Sequence, residues 1–360
     1  MHNKRENRMK HNFYLLATIH FLLAASCNGM NKPLQKLLVN TLYGNFKVTE
    51  PVLIDLFNNP VMERIKQVRQ YGAEDYVIKQ KKEYTRYEHC VGVWALLRMY
   101  GADLEEQIAG LLHDASHTVF SHVGDRLFKH ESALCSYQDD IHEWYLKKQK
   151  IDLLLTHHGI SLTTILHSNN KHTMLEQDLP NICADRLEYN LQAGLLTDHL
   201  RTDDIATILD NIRYGNGHWF FVNEESAKKL AMVSLFNTEH VWSSTAAYFI
   251  TKWTAQALER ALEIKLLTHN DIHFSTDPLV WNKLWISNDP VIIGCLDNIV
   301  NYKTAISMNA HKKEPIKVKF RGLDPLVQIN DQLKRLTSID SEYNQEYERV
   351  KAYIMRKSKL

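Results

Sequence analysis

The sequence predicts an all-α, mainly helical fold, and three observations carry that expectation. Only 13 Gly and 8 Pro occur in 360 residues, roughly half of ordinary usage, which disfavours disorder, collagen-like sequence and loop-rich sandwiches. Hydrophobic residues make up 44% of the chain, and at this length they can fill one large core or two modest ones. Apolar positions recur three and four apart along much of the sequence, the period of a helix with one buried face.

The N-terminal segment has a character of its own. Lys4, Arg5, Arg8 and Lys10 precede a mostly apolar stretch from Phe13 that ends Leu22-Leu23-Ala24-Ala25-Ser26-Cys27. A basic start, a short apolar run and small residues describe an export signal over residues 1–27, too short to span a bilayer as a mature helix. Small residues directly before a cysteine also resemble a bacterial lipobox. The expectation is therefore an exported or membrane-anchored lipoprotein with lipid on Cys27. His20 in the apolar run and Ala24, where Leu is usual, depart from that pattern, and translation from Met30 would give a cytoplasmic product.

Beyond residue 30, Tyr43–Gly72 reads as a short turn or strand followed by helical periodicity through Val52, Leu56, Val61, Ile65 and Val68. Asp103 with Glu106 forms a capping-box-like start. The helix it opens has Leu104, Ile108, Leu111 and Leu112 on its apolar face and His113-Asp114 at its far end. Another helix is expected to begin at Pro180, bury Ile182, Leu187 and Leu191, and stop at Gly194. Ser244–Thr268 is the clearest long helix of the second half, and Pro315–Val327, where Ile316, Val318 and Phe320 alternate, suggests a strand or two. The chain thus divides into a helical catalytic region at 38–200 and a mainly helical C-terminal region at 201–360.

Charge narrows the function. With 43 Lys+Arg against 42 Asp+Glu and a formal charge of +1, nothing supports a broad nucleic-acid-binding surface, although a local basic pocket is compatible. Five scattered cysteines, with no CxxC pair, form neither a disulfide framework nor a zinc knuckle. The unusual number is 19 His, ten of which fall between His89 and His172. Within that span, His113-Asp114 offers a nitrogen and an oxygen ligand on consecutive residues. Mixed sets of this kind suit divalent Mn, Fe, Ni, Co or Zn better than Ca or Mg. His117 lies one turn further along and would share the face of His113 if the helix continued. His122 and Asp125 follow closely.

Four strings make the reading specific. Thr85-Arg86-Tyr87-Glu88-His89-Cys90-Val91-Gly92-Val93 resembles the opening motif of HD-superfamily phosphohydrolases, and of their deoxynucleoside-triphosphate triphosphohydrolase branch in particular. Gln107-Ile108-Ala109-Gly110-Leu111-Leu112-His113-Asp114, continuing through His117 to Ser121-His122, is similar to that branch's metal-and-catalytic segment. Pro60-Val61-Met62-Glu63-Arg64-Ile65 with Gln70-Tyr71-Gly72 resembles its lead-in. Ala184-Asp185-Arg186-Leu187-Glu188-Tyr189 is similar to the helix that supplies the last ligand.

The resemblance implies an HD-domain helical core with His89, His113, Asp114 and Asp185 as ligands of a divalent metal ion. It implies cleavage of a dNTP to deoxynucleoside and triphosphate by a metal-activated water. Arg86, three residues before His89, would hold a phosphate beside the metal, as would Arg186 with Tyr189. His117, His122 and His142 are the proton-transfer candidates. In the resembling family an Asp near the end of the second motif holds one His of a later His-Glu pair. Here that maps to His142-Glu143 oriented by Asp125, preferred over His130-Glu131 because His142 heads a helical run.

A homo-oligomer is implied by resemblance alone. Three departures stand out: Arg186 where Lys is usual, Cys183 where a carboxylate is common, and Ala115-Ser116 in place of a small hydrophobic-Gly pair. No Gly-Tyr-Pro follows His113-Asp114, which argues against the cyclic-dinucleotide branch. An exported product would not meet the cytosolic nucleotide pool, so the alternatives are a phosphomonoesterase or phosphodiesterase acting on another phosphorylated small molecule, or a non-catalytic nucleotide-binding regulator.

Overall fold

Strands β1 (Leu37–Thr41) and β2 (Gly44–Val48) pair antiparallel around a turn at Leu42-Tyr43. Thr41 Oγ1 accepts from Tyr43 N at 3.0 Å and donates to Gly44 O at 3.1 Å, closing the turn. The computed structural model describes residues 36–79, 81–129, 136–166, 171–309 and 318–359. The Cys27 segment, His130-Glu131 and Ile316 lie outside them. Two short helices follow the hairpin, α1 (Pro51–Phe57) and α2 (Pro60–Ile65). Each opens on a proline, whose fixed φ and missing N–H suit the first helical position. The periodic run through Val52 to Ile65 is thus two helices.

Helix α3 (Arg86–Met99) starts with a full capping box: Thr85 accepts from Glu88 N and Glu88 reaches back to Thr85 N. Its buried stretch runs from His89 to Leu97. Helix α4 (Leu104–Leu112) is capped by Asp103, which accepts from Glu106 N at 2.8 Å. The expected box is only half formed, because the Glu106 carboxylate turns away to accept from Met174 N at 2.8 Å and Leu175 N at 3.0 Å. At Gly110 a Cβ would come within 2.3 Å of Leu97 Cδ1, so the close crossing of α3 and α4 depends on that glycine.

Helix α5 (Tyr137–Lys148) carries His142. Helix α6 (Ala184–Leu196) carries Asp185 and begins four residues later than the expected start at Pro180. The chain is still extended at Cys183 (φ −141°, ψ 169°). The first helical N–H groups of α6 are taken by the preceding loop, Ala184 N donating to Met174 O at 2.8 Å. Gly194 lies inside α6 and does not end it. A Cβ there would meet Leu200 Cδ1 at 2.6 Å and Val233 Cγ1 at 3.1 Å, so its role is close packing.

In the C-terminal region, β3 (Ile212–Gly215), β4 (His218–Phe221), β5 (Leu326–Ile329) and β6 (Gln332–Arg335) form a sheet in that order. The β4–β5 pair is parallel and the outer pairs are antiparallel. Of the segment 315–327, the described residues from Val318 on enter a strand at Leu326, where Leu326 and Val327 face Phe220 and Phe221. Between the strands lie α7 (Glu224–Asn237), α8 (Thr245–Glu263) and α9 (Asp277–Trp285). The long helix expected from Ser244 is present, with Ser244 as its cap, and it ends before Thr268 because the chain turns at Lys265, φ +60°.

The larger core cluster joins Val39, Trp94 and Leu191 to Phe221, Tyr343 and Ile354, so it crosses residue 200 without a break. A second cluster sets Phe120 among Trp253, Leu258, Trp281 and Ile299. Burial on this scale, at about 25 cal/mol per Å² of apolar surface, is what holds the helices in register. Among the described residues no helix is long and apolar enough to cross a membrane.

Candidate active site

Helices α3, α4 and α6 bring three of the predicted ligands together. His89 Nε2 lies 2.9 Å from Asp185 Oδ1 and 3.1 Å from His113 Nε2, while His113 Nε2 is 3.6 Å from the same Asp185 oxygen. All three ligand atoms fall within 4.8 Å of one another. Asp114 Oδ2 stands just outside, 3.5 Å from His89 Nε2 and 3.7 Å from His113 Nε2.

What turns both Nε2 atoms inward is what the opposite nitrogens do. His113 Nδ1 donates to Gly110 O at 2.7 Å, and His89 Nδ1 pairs with Glu188 Oε2 at 2.6 Å. Metal-binding imidazoles are commonly fixed this way, with the far nitrogen held by a carbonyl or carboxylate. Burial works against a charge on His89, yet the bonds from Asp185 and Glu188 override it and push its pKa up to about 10. His113 is likewise raised, Asp114 being the first group to overcome burial. Carboxylates so arranged favour a cation at their centre, and a divalent ion held by His89, His113 and Asp185 would take the place of the proton there. The donor set fits such an ion.

Glu188 was not singled out by sequence reasoning, although it sits three residues after Asp185 on the same face of α6. It is fully buried and also accepts from the hydroxyls of Tyr43 (3.1 Å) and Tyr84. A Cβ at position 92 would stand 2.4 Å from Glu188 Oε1, so Gly92 in the first motif is the space this carboxylate occupies. Glu106 was assigned only a cap; it ties down the 174–175 loop on which the start of α6 hangs.

The segment after His113 is not helical, since α4 ends at Leu112. A run of turns, including Phe120 at φ 58° and Ser121 at φ 55°, folds His117 back until its Nε2 is 3.3 Å from Asp114 Oδ1. The left-handed pair is costly for non-glycine residues and is held from three sides. Asp277 of α9 accepts from Phe120 N at 2.7 Å and from Arg69 N at 2.8 Å. Ser121 Oγ donates to Arg69 O, and Gly72 leaves room for Phe120 O. Burial, with Arg86 next, depresses the His117 pKa to about 3. Its imidazole is therefore neutral.

Arg86 is buried and already engaged. Its guanidinium pairs with Asp114, donates to Ser121 Oγ at 3.0 Å and reaches Gln70 O at 3.4 Å. Burial alone would raise the Asp114 pKa; Arg86 holds it well below the usual carboxylate range. Arg186 donates to the carbonyls of Gln177 and Asn181 and to Glu176 Oε1 at 2.6 Å, closing the loop before α6. Tyr189 places its ring 6.5 Å from that of His89 and edge-on to Trp242 at 5.1 Å.

The expected pairing of Asp125 with His142 is corrected. Asp125 takes His122 Nδ1 at 3.1 Å and Tyr137 N at 2.7 Å, and the His122 bond leads in pulling its pKa down against burial. His142 Nδ1 lies 2.8 Å from Ser116 Oγ. The cause is geometric: α5 begins at Tyr137, so Asp125 meets the first turn of that helix and not its second. The His122 ring, 5.0 Å from that of His117, joins the His117–Asp114 side of the site.

Comparison with known proteins agrees with this geometry. Residues 86–189 match the HD domain model. The uncharacterized protein YdhJ of Bacillus subtilis is 30% identical over 290 residues, covering 81% of this chain and 88% of its own. The chain belongs to the HD-domain phosphohydrolase family.

A second relative of this HD protein is the metal-dependent phosphohydrolase cns2 of Cordyceps militaris, 27% identical over 71% of this chain and 74% of its own. The deoxynucleoside triphosphate triphosphohydrolase SAMHD1 of Danio rerio is 26% identical over 152 residues, 35% of this chain and only 24% of that protein. A crystal structure of a hypothetical protein from Aquifex aeolicus superposes with a TM-score of 0.65 at 16% identity, over 88% of this chain and 99% of that one; it shares the fold.

Proposed function

We propose that this HD protein hydrolyses a nucleotide, by preference a dNTP cleaved to deoxynucleoside and triphosphate. The observation that carries the reading is the convergence of His89, His113 and Asp185, both imidazoles turned inward, beside the Arg86–Asp114 pair. The partial match to SAMHD1, over 35% of this chain, supports the choice of nucleotide. A divalent ion (Mn, Fe, Ni, Co or Zn) held by the two Nε2 atoms and the carboxylates would acidify water and polarise a phosphoryl oxygen.

The protein's own groups supply the rest. Arg86 fixes the Asp114 carboxylate as an anion facing the two histidines. His117, beside Asp114, and His122, held by Asp125, are the candidates for proton transfer. His142, on the far side of Ser116, supports the His-Asp turn. The longer alignment with cns2 keeps a second reading open, a phosphomonoesterase on another small molecule.

Product analysis tests both. The Mn-loaded protein, residues 28–360, is assayed against dNTPs, NTPs and monophosphates with Asp114→Asn as control. Free triphosphate supports the first reading and orthophosphate the second. Turnover equal in wild type and variant refutes the assignment of the site. Membrane attachment through Cys27 is a separate proposal, tested by fractionating the full-length protein beside Cys27→Ser.

A further inference from the structure

We infer that Arg64 is a positioning residue: through main-chain carbonyls it fixes the turn after His113-Asp114, and with it the place of His117 against Asp114. The inference rests on the phosphohydrolase reading above. It gives a task to a buried arginine of the lead-in string that the metal-binding residues do not account for.

Helix α4 ends at Leu112, yet the chain that follows stays inside the protein, with Ala115 and Ser116 without exposure and His117 nearly so. Buried carbonyls outside a helix need donors. Arg64 supplies them. Its Nη1 donates to Ala115 O at 3.2 Å and its Nη2 to His117 O at 2.5 Å, while Nε donates to Ser275 O at 3.0 Å. The side chain is itself buried, and its guanidinium carbon lies 5.4 Å from the centre of the Tyr145 ring. All three nitrogens of the fork thus go to carbonyls of two distant stretches, a span that suits a rigid planar cation and not an ammonium.

The stretch 272–277 is the other half of this clamp. Ile272 O accepts from Val119 N at 3.0 Å, and the Asp277 carboxylate accepts from Phe120 N at 2.7 Å. Asp277 N donates to Gln67 O at 3.1 Å, one turn beyond Arg64. Residues 115–120 are therefore held from outside by the α2 end and by this stretch, and Arg64 joins the two. What the clamp presents to the site is the His117 ring, whose Nε2 stands 3.3 Å from Asp114 Oδ1. Catalytic geometry tolerates little slack, since a misplacement of about 1 Å from a distant change costs roughly a hundredfold in rate. Arg64 acts on turnover in this way, through the backbone.

The surroundings of Arg64 supply a specific test. Arg64 lines a cavity of about 640 Å³ with Gln67, Phe274 and Thr276, and the cavity reaches solvent at the exposed Glu63 and Asn270. Free guanidinium can therefore refill the space that Arg64→Ala leaves.

The full chain, Mn-loaded, is compared with Arg64→Ala and Arg64→Lys on dNTPs and p-nitrophenyl phosphate, below the melting temperature of each variant and with metal content alongside. The expected result is a kcat per folded molecule lowered roughly tenfold to hundredfold in both variants, with KM and metal content unchanged. Millimolar guanidinium raises kcat in Arg64→Ala, and ammonium does not. A readout free of turnover is the His117 ring resonance of Zn-loaded, histidine-labelled protein, assigned with His117→Gln. It moves in Arg64→Ala and returns with guanidinium. Wild-type kcat in the folded variants, a kcat that falls only as metal is lost, or an unmoved His117 resonance overturns the inference. If wild type cleaves no ester while the resonance moves and returns, the phosphohydrolase reading falls and the positioning role stands. If wild type cleaves dNTPs and the resonance stays in place, the reverse holds.

Discussion

Replacing Glu188 tests whether the far side of His89 governs the metal site. The carboxylate accepts from His89 Nδ1 at 2.6 Å, from Tyr43 Oη at 3.1 Å and from Tyr84 Oη, all without exposure to solvent. Glu188→Gln keeps the shape but removes the charge that makes His89 a strong donor to a cation. A hydrogen bond to a charged group is worth about 1.5–3 kcal/mol, so metal affinity should fall roughly tenfold to hundredfold, the range expected when the outer partner of a metal-binding histidine is lost. Glu188→Ala should add a stability loss of about 2–4 kcal/mol, since two buried tyrosine hydroxyls and an imidazole N–H lose their acceptor. Chelator competition gives the affinity and urea unfolding of the metal-free protein gives the stability. Wild-type Mn affinity in both variants would refute the argument that Glu188 sets the tautomer and basicity of His89.

Other expectations are narrower. Gly92→Ala should lower both melting temperature and metal affinity, by about 1–3 kcal/mol of stability, because the new methyl meets the Glu188 carboxylate at 2.4 Å; calorimetric melts check it. Asp277→Ala should cost about 2–4 kcal/mol by leaving Phe120 N and Arg69 N without an acceptor, and proteolysis near Phe120 should accelerate. His273 donates from Nδ1 to His269 O at 2.7 Å, so its Nε2 receives Tyr137 Oη at 2.9 Å, and burial lowers its pKa. The unfolded chain then binds the extra proton first, near the ordinary imidazole value of about 6.5. Stability from this contact is present above that pH and lost as pH falls below it. Melts at pH 5 and 7.5 should show a smaller difference in His273→Gln than in wild type; an equal difference would remove His273 as the source.

Much of the site was legible because its ligands sit inside short, locally ordered strings. His89 and Arg86 share one helix face, His113-Asp114 ends another helix, and Asp185 opens a third, so the short strings that resemble the HD motifs mark them. Helical periodicity likewise located the helix from Leu104 and the long helix after Ser244. Local pattern failed where distant chain decides the outcome. Pro180 carries the mark of a helix start, yet the 174–175 loop takes the first N–H groups and delays α6 to Ala184. Gly194 has the mark of a helix stop, but the neighbouring helix needs its missing side chain.

The sequence by itself determined that the chain is helical and near-neutral, because composition and periodicity are local properties, and its four strings marked the candidate metal ligands through their resemblance to the HD motifs. Tertiary structure alone decided which partner each of those residues has. Asp125 holds His122 and not His142, Arg86 is committed to Asp114, and Glu188 backs His89. Contacts between separate helices, such as that of Glu188 with His89, depend on how the helices pack, and packing is settled by the shared core and by the space left at Gly92, Gly110 and Gly194.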